Sequence, residues 1–471
     1  MIFHGFRFLP GLLLISAAVA QIPAVHEHPC KVAKPNTRCG YIEVPEDRSK
    51  PAGRKVSIEF IQVRSTARDR DPTPWLDVNG GPGVAGTPGG IDLIFNVFPY
   101  VLKYRDVVFY DQRGVSGSSQ LRCDPHAHVP PEQAGDFLPA QGVRHCYQQV
   151  SASADLAQYN TTASVEDLDQ LRLALGYDKL FLHALSYGTR LAQAYLQAHP
   201  EHVSAVLLEG ALKPGDRVPL AYAKGMQQTL NAVLDDCRRD PACKPVAEQV
   251  DLPKIAAMDQ IVFTSGGEAI QLTPPQFFEM FRSLLYDGDG QRRVPILLAE
   301  VSRGDAHRLG ELYERDYGND PNFSWPLYLS VFCAEDTPFL GEDQVRSATE
   351  ATLAGDYRVR QQQQACKFWQ VPKRDPMLGK PSHIPVLLME GQFDLVTPSW
   401  SEGDLHRYFP GGRQVILPLV GHMPIGFDGI ECLDQIEEQF IATRNNKTLD
   451  VSCRDNIRRK PFVVDANQPA K

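Results

Sequence analysis

Three residues far apart in the chain, a serine, an aspartate and a histidine, offer the chemistry. Ser186 lies in Phe181-Leu182-His183-Ala184-Leu185-Ser186-Tyr187-Gly188-Thr189. The stretch reads as a short apolar strand, a sharp turn, and a helix running to about His199. Such a turn lifts a serine hydroxyl clear of the sheet edge and points the next N–H at the same spot. Small residues must stand two positions away on each side, because strand and helix approach closely there. Gly188 meets that need, and Ala184 stands where the usual pattern has glycine. A small-x-Ser-x-Gly run alone is common by chance, so the rest of the chain must supply the partners.

A serine hydroxyl is a poor nucleophile near pH 7 and needs a base, itself oriented by an acid. The chain supplies them in the order Ser, Asp, His. Asp394 falls in Gly391-Gln392-Phe393-Asp394-Leu395-Val396-Thr397-Pro398, and His422 in Val420-Gly421-His422-Met423-Pro424. Taken singly, the aspartate reads as a turn former and the histidine as a surface residue. Each follows a predicted strand, however, and sites collect at the carboxyl ends of parallel strands. A third loop, Asn79-Gly80-Gly81-Pro82-Gly83-Val84-Ala85-Gly86, lacks the G-K-[ST] of a phosphate loop and the spacing of a dinucleotide fingerprint. Its glycines leave N–H groups uncovered, so the loop reads as an oxyanion hole, with the N–H groups of Gly81 and Tyr187 as donors. Asp111 and Arg113 read as loop-pinning residues.

Positioning these residues requires a sheet. Cys39 to Pro45 reads as a first edge strand, and Lys55 to Arg64 alternates as a half-exposed strand. Trp75–Val78, Val107–Tyr110, Phe181–Leu185, Val203–Leu208, 384–390 and Gln414–Leu417 are further strands. A helix is predicted from Ser164, capped with Asp167, to Leu175, with Gly176 stopping it. Strand and helix alternate, which implies parallel βαβ units. Between about 213 and 382 helical patterns dominate, as in 220–237, 274–286 and 342–353, and this span reads as a cap inserted into the core. The expected organisation is a signal peptide over 1–20, core over 21–212, helical cap over 213–382 and core again over 383–471.

The net charge of −9 argues against nucleic acid as a partner. Arg7, the apolar run Phe8 to Val19 and Ala18-Val19-Ala20 read as a cleavable export signal. A membrane association would follow only if that signal stayed uncut, and a secreted or periplasmic location is expected. Ten cysteines, with no C-x-x-C among them, read as disulfides between sequence neighbours. The expected pairs are Cys30 with Cys39, Cys123 with Cys146, Cys237 with Cys243, Cys333 with Cys366, and Cys432 with Cys453. Asp287-Gly288-Asp289-Gly290 lacks the later acid of a calcium loop and reads as a solvated turn. His26-Glu27-His28 reads as an exposed N-terminal segment. No metal or cofactor is implied.

Asn79-Gly80-Gly81-Pro82-Gly83, Asp111-Gln112-Arg113-Gly114, Ser186-Tyr187-Gly188-Thr189, the Asp394 loop and Gly421-His422 together resemble secreted α/β-hydrolases of the proline iminopeptidase and tripeptidyl aminopeptidase group. The paired cysteines resemble the tripeptidyl branch, and Asn79 departs from the histidine of many iminopeptidases. The resemblance implies an α/β-hydrolase fold, with a mostly parallel sheet flanked by helices and a large helical cap, and a TAP-like C-terminal region. It also implies an exopeptidase acting on free peptide N-termini through an acyl-enzyme. A substrate ammonium needs a buried carboxylate, for which Glu209, Glu335 and Asp336 are the candidates. Trp325, Tyr328, Phe368 and Trp369 are candidates for an apolar pocket. The alternative is a carboxylesterase or lactonase with the same three residues, acting on a small ester; a non-catalytic binding protein is a third reading.

Overall fold

Unbroken apolar runs such as Val107–Phe109 and Val206–Leu208 bury both faces of their strands, as a sheet covered by helices on each side requires. A computed structural model describes residues 22–127, 129–318, 320–376 and 378–465. The export signal expected over 1–20 lies outside the described residues. The strands are β1 (Val25–His28), β2 (Thr37–Pro45), β3 (Lys55–Val63), β4 (Asp71–Val78), β5 (Arg105–Tyr110), β6 (Leu180–Leu185), β7 (Val203–Glu209), β8 (Ile261–Ser265), β9 (Glu268–Leu272), β10 (Val386–Gly391), β11 (Arg413–Leu417), β12 (Phe427–Asp428) and β13 (Arg458–Arg459). Nine of them form one sheet in the order β1-β2-β3-β5-β4-β6-β7-β10-β11. Pairing is antiparallel from β1 through β3 to β5 and parallel from there to β11.

The edge differs from expectation. The segment His26-Glu27-His28 is part of β1, which covers β2, so β2 is an inner strand. Its polar side chains pair with neighbours: Glu27 accepts from Arg38, and His28 Nε2 bonds Glu59. Charged side chains are a common way to blunt an edge strand.

Helices Thr161–Ala174 and Tyr187–Ala198 cover one face of the sheet, and Thr87–Asp92 and Cys432–Thr443 cover the other. The first helix begins three residues before the predicted start. Asn160 caps it by accepting from Ala163 N at 3.0 Å, while Ser164 is buried and Asp167 is taken up by Arg113. Gly188 is required by packing: a Cβ there would collide with the Val78 carbonyl oxygen of β4.

Between β7 and β10 the chain is mainly helical, with principal helices at Tyr222–Arg239, Pro274–Phe281, Val294–Ser302, Leu309–Tyr317, Trp325–Glu335, Glu342–Thr349 and Tyr357–Phe368, plus the β8–β9 hairpin. The helix predicted over 274–286 tightens to a 3₁₀ turn at Arg282–Leu285. The one predicted over 342–353 ends at Thr349. A helix at Ala140–Ser151, for which the sequence reading has no counterpart, stacks Tyr147 edge-on against Trp369 at the far side of the cap. The ten cysteines form five disulfides, each between sequence neighbours: 30–39, 123–146, 237–243, 333–366 and 432–453. No helix among the described residues is long and apolar enough to cross a membrane.

Candidate active site

Ser186 follows β6 directly and opens helix Tyr187–Ala198. Its backbone stands at φ 56°, ψ −126°, a conformation that a side chain rarely adopts and that needs holding. The hold comes from the next strand, because Ser186 N donates to the Glu209 carbonyl at 3.0 Å. Gly80 lies against the serine, so that a Cβ there would come within 2.9 Å of Ser186 Cβ and 3.5 Å of its Oγ. Gly81 follows at φ +102°, open to glycine and costly for other residues.

Asp394 and His422 leave the ends of β10 and β11. His422 Nδ1 is 2.8 Å from Asp394 Oδ2, and both residues are buried. Asp394 is further fixed by Val396 N and Thr397 N, each donating to Oδ1 at 2.8 Å, and by Thr397 Oγ1 donating to Oδ2 at 2.7 Å. Thr397 is a participant that sequence reading missed; its place three residues after the aspartate was the available signal. Gly210, next to the residue that holds Ser186, faces this pair. A Cβ at its φ of +53° would come within 3.1 Å of both His422 Cε1 and Asp394 Oδ2.

The cap is sewn to both sides of the site by backbone hydrogen bonds. On the glycine loop, Ala85 N donates to Asn322 O and Ser324 N to Gly83 O, each at 2.8 Å. On the histidine loop, Met423 N donates to Tyr286 O and Gly288 N to Ile425 O, also at 2.8 Å. The Tyr286 ring stands edge-on to His422, 5.3 Å between centres. Asp111 accepts from Gly86 N at 2.6 Å and Thr87 N at 2.9 Å, pinning the far end of the glycine loop. Arg113 holds Asp167 and the carbonyls of Glu46 and Gln158.

The chain is similar to known proteins over most of its length. Residues 78–252 match the alpha/beta hydrolase fold family, and residues 351–453 match the family described as TAP-like protein. Serine protease Hip1 of Mycobacterium tuberculosis is 26% identical over 467 residues, covering 88% of each chain. Tripeptidyl aminopeptidase of Streptomyces lividans is 22% identical, covering 90% of this chain and 85% of that protein. Proline iminopeptidase of Neisseria meningitidis serogroup A is 24% identical over 79% of this chain and 89% of that protein. The chain has the α/β-hydrolase fold, and its C-terminal part is similar to the TAP-like family.

On this α/β-hydrolase fold the three acids expected to hold a substrate amine are all engaged elsewhere. Glu209 turns its carboxylate to His183 Nε2 at 2.5 Å, while His183 Nδ1 bonds Asp77 at 2.7 Å. Trp75 stacks on the same imidazole. Glu335 accepts from Thr161 N at 2.7 Å and Thr161 Oγ1 at 2.6 Å, with Arg190 3.8 Å away. Burial pushes its carboxyl up against the pull of that arginine. Asp336 binds Arg190 through both oxygens, at 2.8 and 2.9 Å, and accepts from Val218 N. These two acids therefore lock helix Tyr187–Ala198 to the cap helix Trp325–Glu335. Thr161 Oγ1 also lies 2.8 Å from the Tyr187 hydroxyl, so the residue after the serine belongs to the same network.

The expected aromatic pocket divides in two. Trp325 and Tyr328 pack with Phe137, Phe323 and Phe332, whereas Trp369 donates to Ser330 and Phe368 packs under Arg144. Asp287 caps a short helix by accepting from Gly290 N at 2.7 Å. One cluster, Asp169, His199 and His202, brings ligand atoms within 4.8 Å of one another. Arg172 already donates to Asp169 at 2.7 Å and lies 3.4 Å from His202 Nε2; a cation there would meet a guanidinium.

Proposed function

We propose that the protein is a serine hydrolase that releases residues or short peptides from peptide N-termini through an acyl-enzyme. The observation that carries this is the Asp394–His422 hydrogen bond of 2.8 Å at the strand ends beside the strained serine turn. In this reading Ser186 Oγ attacks the carbonyl while His422 Nε2 takes its proton. The N–H groups of Gly81 and Tyr187 receive the oxyanion. Collapse of the tetrahedral species breaks the C–N bond, and His422 returns the proton to the leaving amine. Water, activated by the same imidazole, then releases the acyl group. Asp394 keeps Nδ1–H of His422 turned inward, so that Nε2 is the free base. The names of the peptidase relatives favour peptides as substrates. The five disulfides favour an oxidising compartment, so export through residues 1–20 belongs to the same proposal.

The second reading, a carboxylesterase or lactonase, is favoured by one observation. Glu209, Glu335 and Asp336 are all committed to protein partners, and an ester needs no carboxylate to hold an amine. Hydrolysis of chromogenic peptides with free N-termini, the same peptides N-acetylated, and a short-chain ester separates the readings, with Ser186→Ala as control. Turnover of free peptides alone, abolished in Ser186→Ala, is the expected result. Turnover of the ester alone overturns the peptidase in favour of the esterase. Undiminished turnover by Ser186→Ala overturns both.

A further inference from the structure

Beyond Tyr286 the cap holds a group of charges that the proposed reaction does not use. Glu279 Oε1 accepts from Arg282 Nε at 3.1 Å and Nη2 at 2.9 Å, and also from Arg358 Nη1. Arg282 Nη1 donates to the Tyr286 hydroxyl at 2.6 Å, and Arg358 Nη2 to the Tyr328 hydroxyl at 2.9 Å. Both guanidiniums flank the Tyr222 ring, 4.6 and 5.1 Å from its centre. Two positive charges thus share one carboxylate. Of the nearby acids, Asp316 pairs with Arg315, and Asp136 is bonded to Gln276 and Gln361.

This cluster adjoins the reacting groups. The guanidinium carbon of Arg282 and the imidazole of His422 each lie 5.3 Å from the centre of the Tyr286 ring, so one ring separates them. Arg282 and Arg358 are buried, each with 7% of its surface accessible. The cluster is incomplete as a hydrogen-bonded unit. Arg358 Nε, a donor on a buried cation that packs on the Phe137 ring, has no hydrogen-bond partner, nor does the nearby Tyr317 hydroxyl. Buried donors of this kind are almost always satisfied, and a charged acceptor satisfies an arginine best.

We infer that the cap wall formed by Arg282, Arg358 and Tyr222 binds a carboxylate of the substrate. The inference rests on the serine-hydrolase reading above and adds the substrate's charge to it. A carboxylate can come from an acidic side chain in the acyl segment or from the free C-terminus of a short leaving peptide. A substrate ammonium would be repelled from this wall.

The test compares kcat/KM for matched substrates in two arms. One arm sets glutamate against glutamine in the acyl segment; the other sets a free C-terminal carboxylate against its amide. The carboxylate form is expected to lead by about tenfold in one arm, which identifies the source. Arg358→Met should bring that ratio close to one, and Glu279→Gln, which removes the competing negative charge, should raise it. Opposite effects of the two variants distinguish recognition from a general loss of folding, which would lower both members of a pair alike. A ratio near one in both arms, or a ratio that neither variant moves, overturns the inference. If no peptide is cut while an ester is, the peptidase reading falls by itself. The same ratio is then measured on a dicarboxylic half-ester against its amide, with the same two outcomes for the inference.

Discussion

The backbone of Glu209 holds the N–H of Ser186 at 3.0 Å while the side chain of the same glutamate holds His183 at 2.5 Å. One residue thus fastens the nucleophile turn from the neighbouring strand and closes a buried Asp77–His183–Glu209 chain beneath it. Burial works against a charged imidazole, but hydrogen bonds to Asp77 and Glu209 override it and raise His183 to about 10. The folded state therefore keeps a proton that the unfolded chain loses near pH 6.5. This part of the stability is complete below pH 6.5 and lost as pH rises through about 10. Glu209→Gln leaves the imidazolium short of a charge and should cost roughly 3–5 kcal/mol at pH 7. Urea unfolding at pH 7 and pH 10 checks this; an equal loss at both values would contradict it.

Thr397 should act on rate and spare binding. Its hydroxyl donates to the Asp394 oxygen that also receives His422. Thr397→Val keeps the shape and the two backbone bonds, and removes only this donor. A fall of about tenfold in kcat with KM unchanged is expected, together with a displaced acid limb of the pH–rate profile. A purely structural role would leave that profile where it was.

Glu390 carries a second pH dependence in a different window. It lies at the end of β10 under the Asp394 loop, accepting from Trp400 N at 3.1 Å and from Gln414. Burial is the main reason its carboxyl rises to about 7, and its Oε1 has no partner. The fold thus favours the protonated acid, and stability falls as pH climbs from 4.5 through about 7. Glu390→Gln should remove this penalty, gaining about 3 kcal/mol at pH 8 and almost nothing at pH 4.5. Thermal unfolding at the two pH values reads it directly.

Much of the core was legible in the sequence because strand patterns and strand-end residues obey local rules. The Ser186 turn, the Asp394 loop and the His422 loop each follow a buried strand, and strand periodicity places such loops at one edge. The cysteine pairs were legible because neighbours in sequence are brought close by short loops. The edge strand β1 was not, since its four residues VHEH carry no apolar alternation and depend on β2 for pairing. Glu209 looked free because sequence shows a carboxylate but not the direction of its side chain. The Arg282–Glu279–Arg358 cluster joins a helix to another nearly 80 residues away, and single charges on helices read as solvated until tertiary packing buries them.

The alanine in the serine motif has a clear expected behaviour. Ala184 is fully buried in β6, whereas Gly188 faces the Val78 carbonyl with no room for a methyl group. Ala184→Gly should retain activity and lose about 1 kcal/mol of stability. Gly188→Ala must push the helix off β4, with a cost of about 3 kcal/mol and loss of activity from a displaced Ser186. Activity and unfolding measured together on the two variants check the asymmetry.

The backbone bonds from Asn322 and Ser324 to the glycine loop, and from Tyr286 and Gly288 to the histidine loop, bear on how the chain matures. A nascent chain that has emerged only as far as residue 320 already owns Ser186 and its glycines, yet the contacts from Asn322 and Ser324 to that loop are missing, and Asp394 and His422 are still to be synthesised. In the proposed enzyme, competence to cut would arrive late, once the C-terminal strands had closed around the insertion. Truncated or stalled products would therefore be inert toward other polypeptides, a built-in safeguard for a cell that makes a peptidase.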